Sequence, residues 1–188
     1  MRREEWRRDP APLAYRVLPQ PEEFFDSWLD RLVSRHGTTR AGLFEFLGLE
    51  PGLARLDLGG GQEVTGRADA AQAIERLAWA VQCEVSVVQA TLVPASGECL
   101  LPPRGRHYGC PQCWLEFHLA GKPLVIQREW TLRQSWLCRK HQALLVDLRD
   151  VPRRADGVID LASLRRLAAV AVRTLELLGF AEPRLLAN

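Results

Sequence analysis

Two short motifs with the same spacing stand out in this chain of 188 residues: CPQC at residues 110–113 and CRKH at residues 138–141. Each motif presents two metal-binding side chains with two residues between them, so one tight turn can offer both to a single ion. The 24 residues between the motifs are enough for the chain to fold back on itself. The sequence therefore predicts one structural zinc ion in a closed tetrahedral site with four ligands: Cys110, Cys113, Cys138 and His141.

Other interpretations of these cysteines remain open. CPQC alone could be a redox dithiol, but a thioredoxin-like motif follows a strand and opens a helix within a βαβ pattern, which the flanking Tyr108, Gly109 and Trp114 do not indicate. The cysteines could also be buried structural thiols, or another side chain could replace one ligand. The nearest substitutes are Cys99, His107 and His118. Cys83 and Cys99 have no neighbour at ligand spacing, so we expect core or free thiols there.

A catalytic role is not indicated by the sequence. A site closed by four protein ligands leaves no position for water or substrate, which favours a structural metal over metal-dependent hydrolysis. The chain also lacks the G-x-S-x-G and H-E-x-x-H motifs of common hydrolases and metalloproteases. We therefore expect a protein that is not an enzyme.

Positive charge is concentrated around the two motifs, although the net charge of the chain is only +2. Between Leu101 and His141, seven lysines and arginines stand against two acids, Glu116 and Glu129. Such a local excess attracts a polyanion, whereas a merely solvated basic surface is the alternative interpretation. The candidate contacts to nucleic-acid phosphates are Arg104, Arg106, Arg133, Arg139 and Lys140.

Residues 1–93 have the pattern of a helical region that follows a proline-rich lead-in. Apolar residues at spacings of three and four predict an amphipathic helix over 22–36, with Gly37 as its stop. A second short helix is predicted to begin at a cap on Thr38 or Thr39 and to end at Gly48.

A pair of helices is predicted at the end of this region, over 69–81 and 85–91. The short break between them is typical of a helix-turn-helix, although many helical hairpins share that spacing. In this candidate helix-turn-helix (69–91), Ser86, Gln89 and Thr91 are expected to face outward. Ser86 and Gln89 are then candidates for contact with a DNA groove.

Prolines and glycines over 94–107 mark a boundary, beyond which we expect a zinc-binding module of short strands and loops at 104–150. A C-terminal helix is predicted over 161–178, within the segment 158–180, with Asp160 as its cap and Gly179 as its stop. Its apolar face would pack on the body of the protein or on a second copy, which would make a homodimer. The predicted fold class is therefore mainly α with a small zinc-ribbon-like β module.

Composition narrows the class of protein further. The chain is 47% apolar and 26% charged, which is ordinary for a globular protein and unlike a disordered one. Its best apolar stretch, 167–172, is far shorter than the roughly 20 residues of a membrane span. No apolar segment follows Arg2 and Arg3, so no secretory signal is expected. We expect a cytoplasmic protein without a membrane partner. Because the cytoplasm is reducing, its cysteines should be thiols or metal ligands rather than disulfides.

Two blocks of residues carry a family resemblance. Residues 19–32, PQPEEFFDSWLDRL, place a proline-flanked acidic start before Ser-Trp-Leu and an arginine. The second block is Tyr108-x-Cys110-Pro111-x-Cys113, then Arg128-x-Trp130-x-Leu132, Cys138-x-x-His141 and Leu144-Leu145. In this order the blocks resemble the TniQ family, the target-selection proteins of transposons that also use an AAA+ ATPase. They span 19–145, about two-thirds of the chain.

The resemblance implies a non-enzymatic adaptor that bridges target DNA, or an RNA-guided complex, to an AAA+ transposition ATPase. Many family members carry further cysteines after the histidine, but 144–154 contains none, so the chain resembles a short member with one zinc ion. Two alternatives have different consequences. One is a stand-alone zinc-containing DNA-binding regulator, and the other is a thiol-redox enzyme that uses Cys110 and Cys113.

Overall fold

The computed structural model describes residues 11–50, 52–53, 57–59, 68–93, 99–152 and 159–177. The chain divides into two compact units, Met1–Leu100 and Leu101–Asn188. The predicted zinc-binding segment and the C-terminal helix therefore belong to the same unit. Among the described residues, no helix combines the length and apolar character that crossing a bilayer requires.

Helices dominate the described secondary structure of the first unit. It contains α1 (Phe25–Arg35), α2 (Arg40–Phe46), α3 (Ala68–Ala80) and α4 (Val85–Gln89). Large apolar side chains from these helices form one core, because each helix is amphipathic and buries its apolar stripe against the others. The members of the core with the largest side chains include Phe25, Trp28, Leu32, Phe44, Ile74 and Leu77.

Helix α1 begins at Phe25 rather than at Glu22, where it was predicted to start. Glu22 has a φ of 61°, which is incompatible with a right-handed helix, and the Glu23 N–H donates to the Gln20 carbonyl across a turn. The Glu23 side chain is fully buried, yet both oxygens are used. They accept from the Arg31 guanidinium at 2.8 and 2.6 Å, and from the Ser27 hydroxyl and the Gln20 N–H.

The connection from α1 to α2 confirms two predictions. Gly37 has a φ of 60°, the left-handed conformation that ends a helix. Thr39 is the N-cap of α2, since its side chain accepts from the Gly42 N–H at 3.1 Å. Arg40 then forms ion pairs with Asp26 and Asp30 on α1, which ties the two helices together.

The predicted pair of helices is present as α3 and α4, but α4 ends at Gln89 and has only five residues. Ser86 and Gln89 are exposed, as expected, whereas Thr91 is buried and the prediction that it faces outward is wrong. Its hydroxyl donates to the Val88 carbonyl, and its own carbonyl accepts from the Phe25 N–H. Thr91 therefore anchors the end of this segment to α1.

The second unit contains two small antiparallel sheets. Strand β1 (Tyr108–Gly109) pairs with β4 (Val146–Asp147), and β2 (Leu137–Cys138) pairs with β3 (Ala143–Leu144). Between β1 and β2 lies a helix, α5 (Pro111–Leu119), where we had expected only strands and loops. Proline is well tolerated at the first helical position, so Pro111 is compatible with this start.

The C-terminal helix α6 (Leu161–Leu177) packs on α5 and β3 within the second unit. The predicted cap is confirmed, because the Asp160 carboxylate accepts from the backbone N–H groups of Ala162 and Ser163. Leu164 and Ala171 of its predicted apolar face are buried. Its predicted stop, Gly179, lies outside the described residues.

Candidate metal centre

Two structural elements present the four predicted ligands. Cys110 is the N-cap residue of α5, and Cys113 lies in the first turn of that helix. Cys138 ends β2, and His141 lies in the turn that leads into β3. That turn is closed by a hydrogen bond from the Gln142 N–H to the Cys138 carbonyl, with Gln142 at a φ of 47°. A helix N-terminus and a hairpin turn thus contribute one motif each.

The ligand atoms have the spacing of a tetrahedral metal site. All four lie within 4.8 Å of one another. His141 Nδ1 is 3.4, 3.3 and 3.8 Å from the Sγ atoms of Cys110, Cys113 and Cys138, and the last two sulfurs are 3.7 Å apart. Tetrahedral zinc has bonds of about 2.3 Å to sulfur and about 2.0–2.1 Å to nitrogen, which separates S and N by about 3.6 Å and two sulfurs by about 3.8 Å. The cluster could therefore hold one metal ion and is compatible with zinc.

Electrostatics of the three sulfurs also favour a cation. Proximity to Cys110 and Cys138, together with burial, raises the pKa of Cys113. Hydrogen bonding with Cys113 lowers the pKa of Cys110, but Cys138 and burial outweigh it and raise that pKa to about 11. Hydrogen bonds from Cys110 and Cys113 to the Cys138 sulfur lower the pKa of Cys138 to about 2. Three neighbouring thiolates repel one another without a cation, whereas a divalent metal ion stabilises all three.

The imidazole of His141 is held by a residue that the sequence analysis missed. Nδ1 faces the sulfurs, while Nε2 lies 3.1 Å from Oε1 of Glu116 on α5. The other oxygen of Glu116 accepts from the Lys140 ammonium. Hydrogen bonds from Lys140, which has the larger effect, and from His141 lower the pKa of Glu116. The signal that could have found Glu116 is its position three residues after Cys113, on the same face of a helix.

The backbone of Gly109, the residue before Cys110, lies close to the side chains of Leu148 and Trp130. A Cβ atom on Gly109 would lie 2.3 Å from Leu148 Cδ1 and 3.0 Å from the Trp130 ring. Trp130 is fully buried. A side chain at this position of β1 therefore requires Leu148 and Trp130 to shift, so glycine is favoured there, next to Cys110.

The predicted phosphate contacts fall into different environments. Arg106 is only 6% exposed and donates to the Leu101 carbonyl, so burial removes it from the accessible cations. Arg104 and Arg133 are exposed. Arg139 and Lys140 have side chains that are 87% and 64% exposed, and they pair with Glu129 and Glu116 respectively. The structure thus leaves four of the five predicted cations at the surface.

Among the tryptophans that the structure describes, two are exposed and the others are buried. Trp28, Trp114 and Trp130 belong to the cores of their units, as is usual for this residue. Trp136 in the second unit is 47% exposed, and Trp79 on α3 is 42% exposed. The periodicity of a helix does not by itself distinguish a core aromatic from one that lies at the edge of the apolar stripe.

Neither a scan against protein-family models nor a search of curated proteins found a match to this chain. The functional interpretation therefore depends on the residues themselves. Among the described residues, the Cys3His cluster is the one group of His, Cys, Asp and Glu side chains arranged to hold a metal ion, and the substitutes Cys99, His107 and His118 are not in it.

The local context of CPQC matches a redox dithiol only in part. CPQC follows a strand, β1, and opens a helix, α5, but β1 and β2 each pair antiparallel with another strand, so the described strands form no βαβ unit. A second observation against a redox dithiol is tertiary, because Cys138 and His141 surround the two sulfurs at metal-ligand distances.

Proposed function

We propose that this protein is a non-enzymatic adaptor in transposon target-site selection, similar to TniQ proteins. It would bridge target DNA, or an RNA-guided complex, to an AAA+ transposition ATPase. The observation that carries the proposal concerns the two blocks that resemble the family. Their polar and metal-binding residues also make the contacts that stabilise each unit. The support from each block is independent of the other.

The first block, residues 19–32, has its polar residues in one buried arrangement. Glu23 accepts hydrogen bonds from Ser27 and Arg31, and Arg31 also donates to the Leu18 carbonyl at 3.0 Å. The Trp28 indole donates to the Val17 carbonyl at 2.7 Å. These contacts hold the proline-rich lead-in against α1. The Glu, Ser, Trp and Arg of the block therefore have linked structural roles, which supports treating their order as a signature.

The second block supplies all four members of the metal cluster, together with the buried Trp130. We infer that the ion is zinc and that its role is structural. Three thiolates and one imidazole form a soft ligand set that Zn²⁺ favours, and four protein ligands leave no position for substrate. The ion would join α5 to the β2–β3 hairpin, neither of which is long enough to be stable alone.

The exposed cations are proposed to contact nucleic-acid phosphates. Ion pairs at the surface are weak, so the pairs of Arg139 and Lys140 do not prevent those side chains from exchanging their carboxylates for phosphates. We expect DNA binding that weakens as salt increases. Replacement of Arg104 and Arg133 by glutamine should reduce the slope of log affinity against log salt by about one per lost contact. Arg149→Gln is the control, because Arg149 is an exposed arginine outside the candidate set.

The adaptor role predicts genes for a transposase and an AAA+ ATPase beside the gene of this chain, and it is tested with that ATPase. The zinc-loaded full chain, tagged and immobilised, should retain that ATPase in the presence of ATP, whereas an unrelated zinc protein should not. A folded, metal-loaded chain that fails to retain the ATPase would contradict the proposal. The absence of a neighbouring transposase and ATPase gene would contradict it as well.

The second candidate function is a stand-alone zinc-containing DNA-binding regulator. The exposed side chains of Ser86 and Gln89 on α4, which follows α3 after a four-residue turn, favour it. This candidate requires sequence-specific binding by the purified protein alone, with a loss of specificity in Ser86→Ala/Gln89→Ala. Only sequence-independent binding by the isolated protein would favour the adaptor.

A further inference from the structure

We propose that Glu116 is a positioning residue for the metal centre, which holds His141 in the tautomer and orientation that present Nδ1 to the ion. The inference rests on metal binding by the Cys3His cluster and not on the adaptor role. The proposal gives a role to the carboxylate of Glu116, a residue that lies outside both the CPQC and the CRKH motif.

The geometry of His141 leaves one arrangement of its proton. Nδ1 lies 3.3–3.8 Å from three sulfurs, so it is the ring atom that faces the ion. A nitrogen that binds a metal uses its lone pair and carries no hydrogen. The single proton of a neutral imidazole is then on Nε2, which lies 3.1 Å from Oε1 of Glu116. Glu116 accepts that hydrogen bond and makes the ring a better ligand.

The position of Glu116 links the two motifs. It lies on α5 with Cys113, one helical turn away, and contacts His141 in the hairpin turn. Its second oxygen is held by Lys140, the residue next to His141. One carboxylate thus bridges the helix and the turn on the outside of the cluster. Because Glu116 is half exposed, its ion pair with Lys140 contributes little to stability by itself, and we expect Glu116 to act through the imidazole and the metal ion.

The first measurement is metal retention by the full chain. Each variant is loaded with Zn²⁺ and the rate of transfer to excess chelator is followed. Loss of an orienting partner costs about 10–100-fold in metal affinity, and we expect a loss of this size for Glu116→Ala. Glu116→Gln keeps an acceptor oxygen and should retain part of the affinity. The control is Glu129→Gln, which removes a negative charge that pairs with Arg139 instead.

The second measurement separates positioning from a merely structural role. Protein with ¹⁵N-labelled histidine and bound ¹¹³Cd²⁺ should show coupling of cadmium to Nδ1 of His141. The parent should also show a slowly exchanging Nε2 proton. In Glu116→Ala at saturating metal, that proton should exchange faster and the metal should be lost faster, while the loss of thermal stability should be no larger than the about 10–100-fold weaker metal binding accounts for.

Three results would overturn the inference: retention of metal by Glu116→Ala equal to that of the parent, coupling of cadmium to Nε2, or exchange of the Nε2 proton that does not depend on Glu116. A parent that binds no metal would also overturn it, together with the proposed zinc ion. The retention of the AAA+ ATPase is a separate assay, so failure of the adaptor role would leave this inference standing.

Discussion

Sγ of Cys113 and Nδ1 of His141 lie 3.3 Å apart, although 28 positions separate the two residues in the chain. Cys113 is in a helix and His141 in a hairpin turn, so no local structure brings them together. These two metal-binding atoms lie at the distance of ligands on one ion, so a bound metal ion is expected to contribute to folding. Metal binding and the stability of the second unit are therefore expected to be coupled.

Metal content is the most direct prediction. Purified protein should contain about one zinc ion per chain. Prolonged exposure to a strong chelator should unfold the second unit, because binding of a structural zinc ion is part of its folding free energy. Elemental analysis and circular dichroism measure the two effects. Well-folded protein without metal, in which a thiol with a lowered pKa reacts rapidly, would instead favour the redox interpretation.

Loss of one ligand should destabilise the fold. Cys113→Ala is expected to cost more than about 4 kcal/mol, as losses of metal ligands do, and to lower Tm by roughly 10 °C. Cys138→Ser should behave similarly. Cys83→Ala is the matched control, because Cys83 lies in the first unit and outside the cluster. Equal thermal stability of Cys113→Ala and the parent would contradict the structural role of the metal.

The buried ion pair of the first unit should be sensitive to removal of the cation. Arg31→Met leaves the fully buried carboxylate of Glu23 without its guanidinium, which is expected to cost about 3–5 kcal/mol. Arg40→Met breaks more exposed pairs with Asp26 and Asp30 and should cost about 1 kcal/mol or less. Chemical denaturation measures both. Equal losses in the two variants would show that the Glu23 environment is not special.

The double variant Glu23→Gln/Arg31→Met gives a further check on that pair. It removes the unpaired buried charge along with its partner, so it should recover part of the stability that Arg31→Met loses. A double variant that is less stable than Arg31→Met would mean that the charge of Glu23 is not the cause of the loss.

The glycine before the first ligand should not tolerate a side chain. Gly109→Ala would place Cβ 2.3 Å from Leu148 and 3.0 Å from the ring of Trp130, and overpacking of this kind costs about 1–3 kcal/mol. Gly105→Ala is the control, since its Cβ would have no neighbour closer than 3.6 Å. Thermal unfolding of both variants measures the difference. Equal changes of Tm in the two variants would show that Leu148 and Trp130 leave room for a methyl group at Gly109.

The cap of α6 should make the second unit sensitive to acid. The hydrogen bond from the Ser163 side chain lowers the pKa of Asp160 from its ordinary value of 3.8, and the backbone N–H groups of Ser163 and Ala162 lower it further. A lowered pKa stabilises the folded state above pH 3.8, and this stabilisation is lost as pH falls through the pKa of the folded protein. Asp160→Asn retains a capping oxygen but not the titration, so its Tm should depend less on pH below about 4. An identical acid dependence in the two proteins would argue against this role of Asp160.

Local patterns in the chain predicted the features that depend on neighbouring residues. The spacing of CPQC and CRKH predicted the four members of the Cys3His cluster, and short-range backbone rules predicted the Gly37 stop, the Thr39 cap and the Asp160 cap. They failed where burial or a distant contact decides. Helix α5 is an example, because its first turn contains CPQC and therefore resembles an isolated metal-binding turn. The apolar face of α5 becomes evident only from its packing on α6. Arg106 is another, because nothing local to it indicates that it is buried.

The amino-acid order alone was sufficient to say which side chains can bind a metal and where most helices begin and end, because ligand chemistry and capping depend on residues within a few positions of one another. Folding in three dimensions decided the rest. It brought Cys113 to His141, placed Glu116 against the free nitrogen of that imidazole, and enclosed Glu23 with Arg31. These contacts join separate segments, so their geometry depends on how the segments pack, which no short stretch of sequence contains.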